Sequence, residues 1–343
     1  MAGIKVLLIE EPGRADVRVM EMPTPGREEV LVKLQYVGFC GSDLSTWLGK
    51  NPLVNYPRVP GHEISGVIAD MAEGVQGDFN IGDAVTVVPY SHCGSCSACR
   101  RGRFNACRNN QTMGVQRDGA MQEYITVPWQ KLLKADKLDH LELAMVEPLT
   151  VGFHAIERGR VEKSDTVMVL GCGMIGAGAI AGAALRGSNV IAVDIDDHKL
   201  DLAAALGARH SINSEKNDLH GELDNITGGN GPDVVVEAAG NPLTYRAAVD
   251  EVAFAGRVVC IGYAGSEVSF ATKLFVQKEL DIMGSRNATP GNFKKVIEYL
   301  EHGTFPLERM ITRKVKPGEA KGALEEWAAR PGQVMRILVD FKS

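Results

Sequence analysis

Thr166-Val167-Met168-Val169-Leu170-Gly171-Cys172-Gly173-Met174-Ile175-Gly176 is the stretch on which the reading of this chain turns. A β-branched, apolar run enters a G-x-G-x-x-G turn, as a buried strand opening a helix does. Asp194 closes the next apolar run, eighteen residues beyond Gly176. In a dinucleotide-binding unit Gly171 allows the tight turn, Gly173 lets backbone approach a pyrophosphate, and Gly176 packs helix on strand. The pyrophosphate rests at the helix N-terminus, with Met174 and Ile175 completing the cofactor turn. Asp194 would accept from the adenosine ribose hydroxyls and repel a 2′-phosphate, selecting NAD over NADP; Lys199 would lie near the same ribose. Two other readings compete. One is a glycine-rich packing turn in some other α/β domain. The other is a membrane span, since residues 166–185 carry no charge and Gly178 and Gly182 match G-x-x-x-G. The initial β-branched run and the glycine spacing favour the buried strand and helix.

Outward from this turn the texture differs on the two sides. Strand patterns at 166–170, 190–194, 234–238, 256–262 and 281–284 alternate with helical patterns at 175–186, 197–206 and 243–252, the signature of a doubly wound parallel sheet. Before about residue 145 the chain is β-rich, with runs at 5–9, 30–38, 66–72, 84–89 and 123–127 punctuated by Pro and Gly, as in a small antiparallel barrel with long loops. A helix is expected at 292–302, and residues 336–341 read as a strand returning to the first domain.

The whole chain has 343 residues, 45% apolar and 23% charged, with formal net charge −6. That length predicts about two domains, and the composition excludes disorder as the main state. A nucleic-acid binder would more often be basic. MAGIKVLLIE has no signal-peptide pattern, so a cytoplasmic protein without membrane association is expected.

Seven cysteines are unevenly placed. Cys93-x2-Cys96-x2-Cys99-x7-Cys107 fits a tetrahedral structural zinc site. An iron–sulfur run would need Cys-Pro three residues after the third cysteine, and a zinc ribbon would need two separated knuckles. The neighbouring Arg100, Arg101, Arg103 and Arg108 read as a solvated face. A third constellation is dispersed: Cys40-Gly41-Ser42-Asp43, Gly61-His62-Glu63 and Glu147-Pro148-Leu149. One Cys, one His and one or two Glu make a zinc-like donor set that leaves a position open. Taken singly, Cys40 can be a buried small hydrophobe, His62 a loop histidine and Glu147 a helix N-terminal charge.

These motifs, in this order, resemble the zinc-dependent medium-chain dehydrogenases/reductases over essentially the whole chain. Gly-His-Glu and Glu-Pro-Leu look like the polyol (sorbitol) and L-threonine 3-dehydrogenase branches. Gly284-Ser285-Arg286-Asn287-Ala288-Thr289-Pro290 looks like the L-galactonate/L-gulonate 5-dehydrogenase branch. The resemblance implies an α/β protein: a GroES-like β-barrel catalytic domain (1–148 and 290–343, zinc lobe about 90–110) plus a Rossmann NAD-binding domain (149–289). It implies two zinc ions per subunit. Cys40, His62 and Glu63 would ligate the catalytic one, with Glu147 either a ligand or the partner of the metal's water; Cys93, Cys96, Cys99 and Cys107 would hold the structural one. Asp43 would orient His62 by accepting its other N–H, and Ser42 would relay the substrate proton. Relatives often carry His where this chain has Ser45, so the relay beyond Ser42 is open. The implied reaction is hydride transfer from a secondary alcohol to NAD, with zinc as Lewis acid. A hexonate such as L-galactonate or L-gulonate is favoured as substrate, ahead of a neutral polyol and L-threonine. Arg286 would meet its carboxylate. A homodimer or homotetramer is implied as well. The competing class is an NAD-binding regulator without turnover.

Overall fold

The computed structural model describes residues 3–342. The chain opens with β1 (Gly3–Glu11), β2 (Arg14–Glu21) and β3 (Glu29–Phe39), then α1 (Gly41–Trp47). Six strands follow: β4 (Glu63–Met71), β5 (Ala84–Val87), β6 (Tyr90–Ser91), β7 (Gln111–Thr112), β8 (Tyr124–Pro128) and β9 (Leu132–Lys134). After α2 (His140–Arg158) come β10 (Thr166–Leu170), α3 (Met174–Leu185), β11 (Asn189–Asp194), α4 (Asp197–Ala205), β12 (His210–Asn213) and α5 (Leu219–Thr227). β13 (Val234–Glu237), α6 (Pro242–Glu251), β14 (Arg257–Cys260), α7 (Lys273–Gln277) and β15 (Asp281–Gly284) continue the alternation. The chain ends with α8 (Pro290–Glu301), α9 (Leu307–Met310), β16 (Arg313–Val315), α10 (Ala320–Ala329) and β17 (Ile337–Asp340).

These elements form two compact units. The first holds the chain up to Glu147, Phe293–Gly303 and everything from Leu307 onward; the second holds Pro148–Asn292 with Thr304–Pro306. In the first unit a seven-stranded sheet runs β16-β17-β3-β4-β5-β9, with β8 also on β3. Its pairs are antiparallel except β16 with β17. The tail strand expected at 336–341 is β17, and it pairs Ile337 with Phe39. The barrel expectation did not foresee β2, which forms a separate hairpin with β1. β2 presents mostly exposed residues, so no apolar alternation marks it. Phe39, Ile64, Ile68, Met121 and Leu324 centre the core.

The second unit is a six-stranded, wholly parallel sheet, β12-β11-β10-β13-β14-β15. Numbered from β10 this is the order 3-2-1-4-5-6 of a dinucleotide-binding sheet. A parallel sheet is covered on both faces, so its strands are apolar throughout; all four residues of β13 are buried. α3 is almost wholly buried because small residues let backbones meet. A Cβ on Gly178 would lie 2.5 Å from Leu149 O, and one on Gly182 would lie 3.4 Å from the Phe153 ring. The G-x-x-x-G pair therefore packs α3 on α2, and no described helix is long and apolar enough to cross a membrane.

Candidate functional site

In the second unit the glycines stand as the motif requires. Gly171 has φ +91, and a Cβ there would lie 2.9 Å from Ala239. A Cβ on Gly176 would lie 1.9 Å from Gly171 O, whereas one on Gly173 would meet nothing within 4 Å. The first and third glycines are thus demanded by the fold. The middle one leaves open space at the start of α3, a cradle suited to a pyrophosphate. Met174 is buried and Ile175 half-buried in the first turn of α3. Asp194 ends β11. Its Oδ2 accepts from Cys172 N at 2.7 Å and its Oδ1 from Ile195 N at 2.8 Å, so the acid also braces the glycine turn. Lys199 is half-buried on α4, and its charge reaches the Cys172 thiol, which burial pushes up. Arg286 is half-buried, two residues beyond β15. Because the sheet is parallel, the glycine turn, Asp194 and Arg286 all follow strand C-termini on one edge, where such sheets bind ligands.

In the first unit Cys40, His62 and Glu63 offer ligand atoms within 4.8 Å of one another. Cys40 sits where β3 ends and α1 begins, and His62-Glu63 where β4 begins. Pairing of Gly38 with Glu63 across β3 and β4 brings the two turns together. A Cβ on Gly38 would lie 2.1 Å from Glu63 Oε2, so that strand glycine makes room for the carboxylate.

Asp43 is fully buried and accepts from Cys40 N at 2.8 Å and Gly61 N at 3.1 Å. It thus ties both turns through their backbones, whereas the sequence reading had it accept from His62. His62 Nδ1 is buried with no partner. Asp43 lies in the first turn of α1, where the N-cap N–H of Cys40 takes one of its oxygens, and the N–H of Gly61, from the turn before β4, takes the other. Ser42 Oγ is also buried without a partner, and Ser45 is half-buried nearby on α1.

Glu147 stands outside the three-residue group. It lies in the middle of α2, not at a helix N-terminus, because α2 begins at His140 and contains Pro148. Glu147 Oε1 accepts from Tyr90 Oη. Burial, then the Glu147 charge, raises the Tyr90 pKa. Arg336, immediately before β17, donates to Phe39 O and places Nη1 2.8 Å from Glu63 Oε1. That contact is an ion pair without hydrogen-bond geometry, since neither Glu63 oxygen has a hydrogen-bond partner. Sequence reasoning singled out neither Tyr90 nor Arg336.

The electrostatics report a shortage of positive charge. Burial lifts the Glu63 pKa to about 7 against the pull of Arg336, with Glu147 and Asp43 adding to the lift. Burial disfavours charged His62, yet Cys40, Glu147 and Asp43 together hold its pKa well above the ordinary value. Unpaired buried carboxylate oxygens beside a thiol and an unpaired imidazole nitrogen fit a divalent, zinc-like cation.

The four-cysteine lobe passes a sharper test. Sγ–Sγ distances are 3.5 Å for Cys96–Cys99, 3.9 Å for Cys96–Cys107 and 3.6 Å for Cys93–Cys107. A sulfur tetrahedron around zinc at ~2.3 Å has edges of about 3.8 Å. All four are free thiols. Backbone N–H groups of Ser95 and Cys96 draw Cys93 down to about 5, while burial pushes Cys99 up to about 12. Four sulfurs this close cannot all ionise without a cation among them. Arg100, Arg101, Arg103 and Arg108 are exposed around the lobe.

Residues 26–137 match the alcohol dehydrogenase GroES-like domain family, and residues 175–302 the zinc-binding dehydrogenase family. The chain belongs to the zinc-binding alcohol dehydrogenases. The dehydrogenase is 34% identical to L-galactonate-5-dehydrogenase of Escherichia coli K12, over 92% of either chain. It is 33% identical to sorbitol dehydrogenase of Halalkalibacterium halodurans, over 98% of its own length and 99% of the relative's. A structure described as a short chain alcohol dehydrogenase from Escherichia coli CFT073, complexed with NADH, superposes with a TM-score of 0.91. That structure is 31% identical, and the match covers 99% of this dehydrogenase and 100% of that chain. The dehydrogenase is thus a zinc-type enzyme of the polyol and sugar-acid group, with zinc and a nicotinamide dinucleotide as its cofactors.

Proposed function

We propose that the enzyme oxidises a secondary hydroxyl of a hexonate, such as L-galactonate or L-gulonate at C5, with NAD. The observation that carries the reading is the buried Cys40–His62–Glu63 group, whose donors lie within 4.8 Å of one another, in a chain 34% identical to an L-galactonate-5-dehydrogenase. Bound there, zinc supplies Lewis acidity to the alcohol and the dinucleotide accepts the hydride. Cys40, His62 and Glu63 are the ligands. Glu147, held by Tyr90 outside this group, acts as a proton partner, and Asp43 fixes the two ligand turns through Cys40 N and Gly61 N. Ser42, whose hydroxyl is buried and unpartnered, takes the substrate proton. Arg286, following the last parallel strand, meets the substrate carboxylate.

The test is kcat/KM for hexonates, neutral hexitols and L-threonine with NAD, before and after Arg286→Ala. Hexonate turnover is expected to lead and to collapse in the variant while residual hexitol turnover survives. Efficient hexitol oxidation with no hexonate oxidation would replace this reading with a polyol dehydrogenase. An NAD-binding protein without bound metal or alcohol-dependent NADH formation would be a regulator instead.

Two further expectations concern the cofactors. Asp194 sets nucleotide choice by repelling a 2′-phosphate, so NAD is preferred over NADP and Asp194→Ala narrows the gap by roughly 10-fold or more. Equal efficiency with both nucleotides in the unaltered enzyme would remove that role. The four-cysteine lobe holds a structural zinc. Cys96→Ser is expected to lower the unfolding midpoint by roughly 5–10 °C and the metal content from two zinc per chain to one. A visible charge-transfer band and bound iron in the purified protein would point to an iron–sulfur centre. A homo-oligomer in the cytoplasm is the expected setting.

A further inference from the structure

Glu237 ends β13, the strand beside β10 in the parallel sheet, and it is fully buried. Burying a carboxylate is destabilising unless its oxygens are bonded. Here one oxygen is crowded and the other is bare. Glu237 Oε1 accepts from Ala239 N at 3.0 Å and from Gly240 N at 2.8 Å. The Thr244 hydroxyl, which also reaches Asn241 O, stands 2.7 Å from the same oxygen. Oε2 has no hydrogen-bond partner. The bonds to Oε1 fold residues 238–240 back over the end of their own strand. They do so just ahead of α6, where a negative charge also suits the helix N-terminus.

That turn touches its neighbours on both sides. Toward β10, Leu170 stands in register with Glu237, and Ala238 N donates to Leu170 O at 2.9 Å. Ala239 then presses on the glycine turn itself, since it is the residue that a Cβ on Gly171 would meet at 2.9 Å. Toward β14, Cys260 stands in register with Glu237. Ile261 N and Gly262 N both donate to Glu237 O, at 2.9 and 3.2 Å. A Cβ on Gly262 would lie 2.6 Å from Glu237 Oε2 and 2.3 Å from Gly240 N, so the two turns meet backbone to backbone. Tyr245 on α6 donates its hydroxyl to Gly262 O. Through Glu237, the turns after β10, β13 and β14 are fastened to one another.

The place of this fastening in the sheet decides which part of the cofactor it serves. A sheet of order 3-2-1-4-5-6 is two mononucleotide-binding halves that meet between strands 1 and 4, here β10 and β13. Asp194, at the end of β11, gives the adenosine side to the half β10–β12. The half β13–β15 is left for the nicotinamide side. Glu237 ends the first strand of that second half, against the turn on which the pyrophosphate rests. We propose that Glu237 is a positioning residue for the nicotinamide half of the dinucleotide: by fastening the turns after β13 and β14 to the glycine turn, it sets the wall of the crevice that this half enters. The carboxylate acts through those turns and does not itself touch the cofactor. The role rests on the assignment of the adenosine side to Asp194 and is the same whichever alcohol the enzyme oxidises.

The experiment is calorimetric titration of the zinc-loaded full chain with NADH and, separately, with AMP, which carries the adenosine side alone. Steady-state kinetics at saturating NAD, with the alcohol that wild type oxidises best, supplies kcat. The proteins compared are wild type, Glu237→Ala, Glu237→Asp, Glu237→Gln and Asp194→Ala. Glu237→Ala is expected to weaken NADH binding roughly 10-fold, the loss of bonds to a charged acceptor. It should also lower kcat roughly 10-fold or more, because a nicotinamide slightly out of line loses rate steeply. AMP affinity should move less than about 2-fold, as for a separate site. Glu237→Gln keeps an oxygen for the Ala239 and Gly240 N–H groups and should fall between alanine and wild type. Asp194→Ala should weaken AMP and NADH together. Unchanged NADH affinity in a folded Glu237→Ala protein overturns the proposal. Equal weakening of NADH and AMP overturns it as well, since Glu237 would then be a prop of the whole unit. If Glu237→Ala does not fold, Glu237→Asp decides, its carboxylate stopping short of the turn: unchanged NADH affinity there overturns the proposal. AMP binding indifferent to Asp194→Ala ends the adenosine assignment of that residue, while weaker NADH with intact AMP in the Glu237 variants still supports Glu237 as serving the other half.

Discussion

His62→Ala is expected to abolish alcohol oxidation, lowering kcat/KM by about 10³-fold or more, while NADH binds as before. The first expectation follows from the donor set. Cys40, His62 and Glu63 are the group close enough to share an ion, and two remaining donors would not hold zinc in a buried site. Losing a Lewis acid forfeits several kcal/mol of stabilisation of the developing charge, which corresponds to about 10³-fold or more. The second follows from the division of the chain. The glycine turn and Asp194 belong to the unit that His62 does not, so nucleotide affinity should not move. Rate, zinc content and NADH fluorescence titration on one preparation give the answer, and a His62→Ala enzyme of full activity would sink the catalytic-metal assignment. Glu147→Gln separates the two roles open to that residue. Retained zinc with a lower rate makes it a proton partner; lost zinc makes it a ligand.

What the sequence showed of this site depended on how local each feature is. The glycine turn and the cysteine lobe are contiguous, and each glycine or thiol answers a steric or coordination demand a few residues away. Cys40, His62 and Glu63 are separated along the chain and looked unremarkable singly; only the order of motifs, as a family resemblance, joined them. Asp43 was assigned a partner from that resemblance, but the free N–H groups of Cys40 and Gly61 claimed its oxygens. Pro148 hid the true extent of α2, since a proline ordinarily ends a helix near the preceding residue; here the helix runs through it. β12 and α5 were missed because short or polar segments carry little periodic signal, with Leu223 the buried residue of α5. Arg336 was beyond reach for another reason. It meets Glu63 only because β17 returns to pair with β3, and no local pattern marks a residue recruited by strand pairing.

Arg336→Met is expected to destabilise the metal-free protein by up to about 3–5 kcal/mol well above pH 7, the cost of leaving one charged member of a buried ion pair alone, and by less at lower pH, where the Glu63 carboxyl, already lifted to about 7 by burial, takes up a proton. Arg336 is 4% exposed and Glu63 0%, so solvent screens neither charge. The guanidinium also holds Phe39 O, one residue from Cys40, and methionine cannot replace that bond. Two controls separate charge from packing. In Arg336→Met/Glu63→Gln the orphaned charge is gone, and the double variant should recover more than half of the loss; simple addition of the single effects would mean that the two residues are not coupled. Zinc should also recover part of the loss in Arg336→Met, because a divalent cation on the Glu63 carboxylate supplies the positive charge that the arginine no longer does. Urea unfolding with chelator and with saturating zinc measures both, and unchanged midpoints in the single variant would show that Arg336 does not hold Glu63 in place. The pairing has a consequence for the site: Arg336 holds the Oε1 side of the Glu63 carboxylate, so its removal should also loosen Glu63 as a prospective metal ligand.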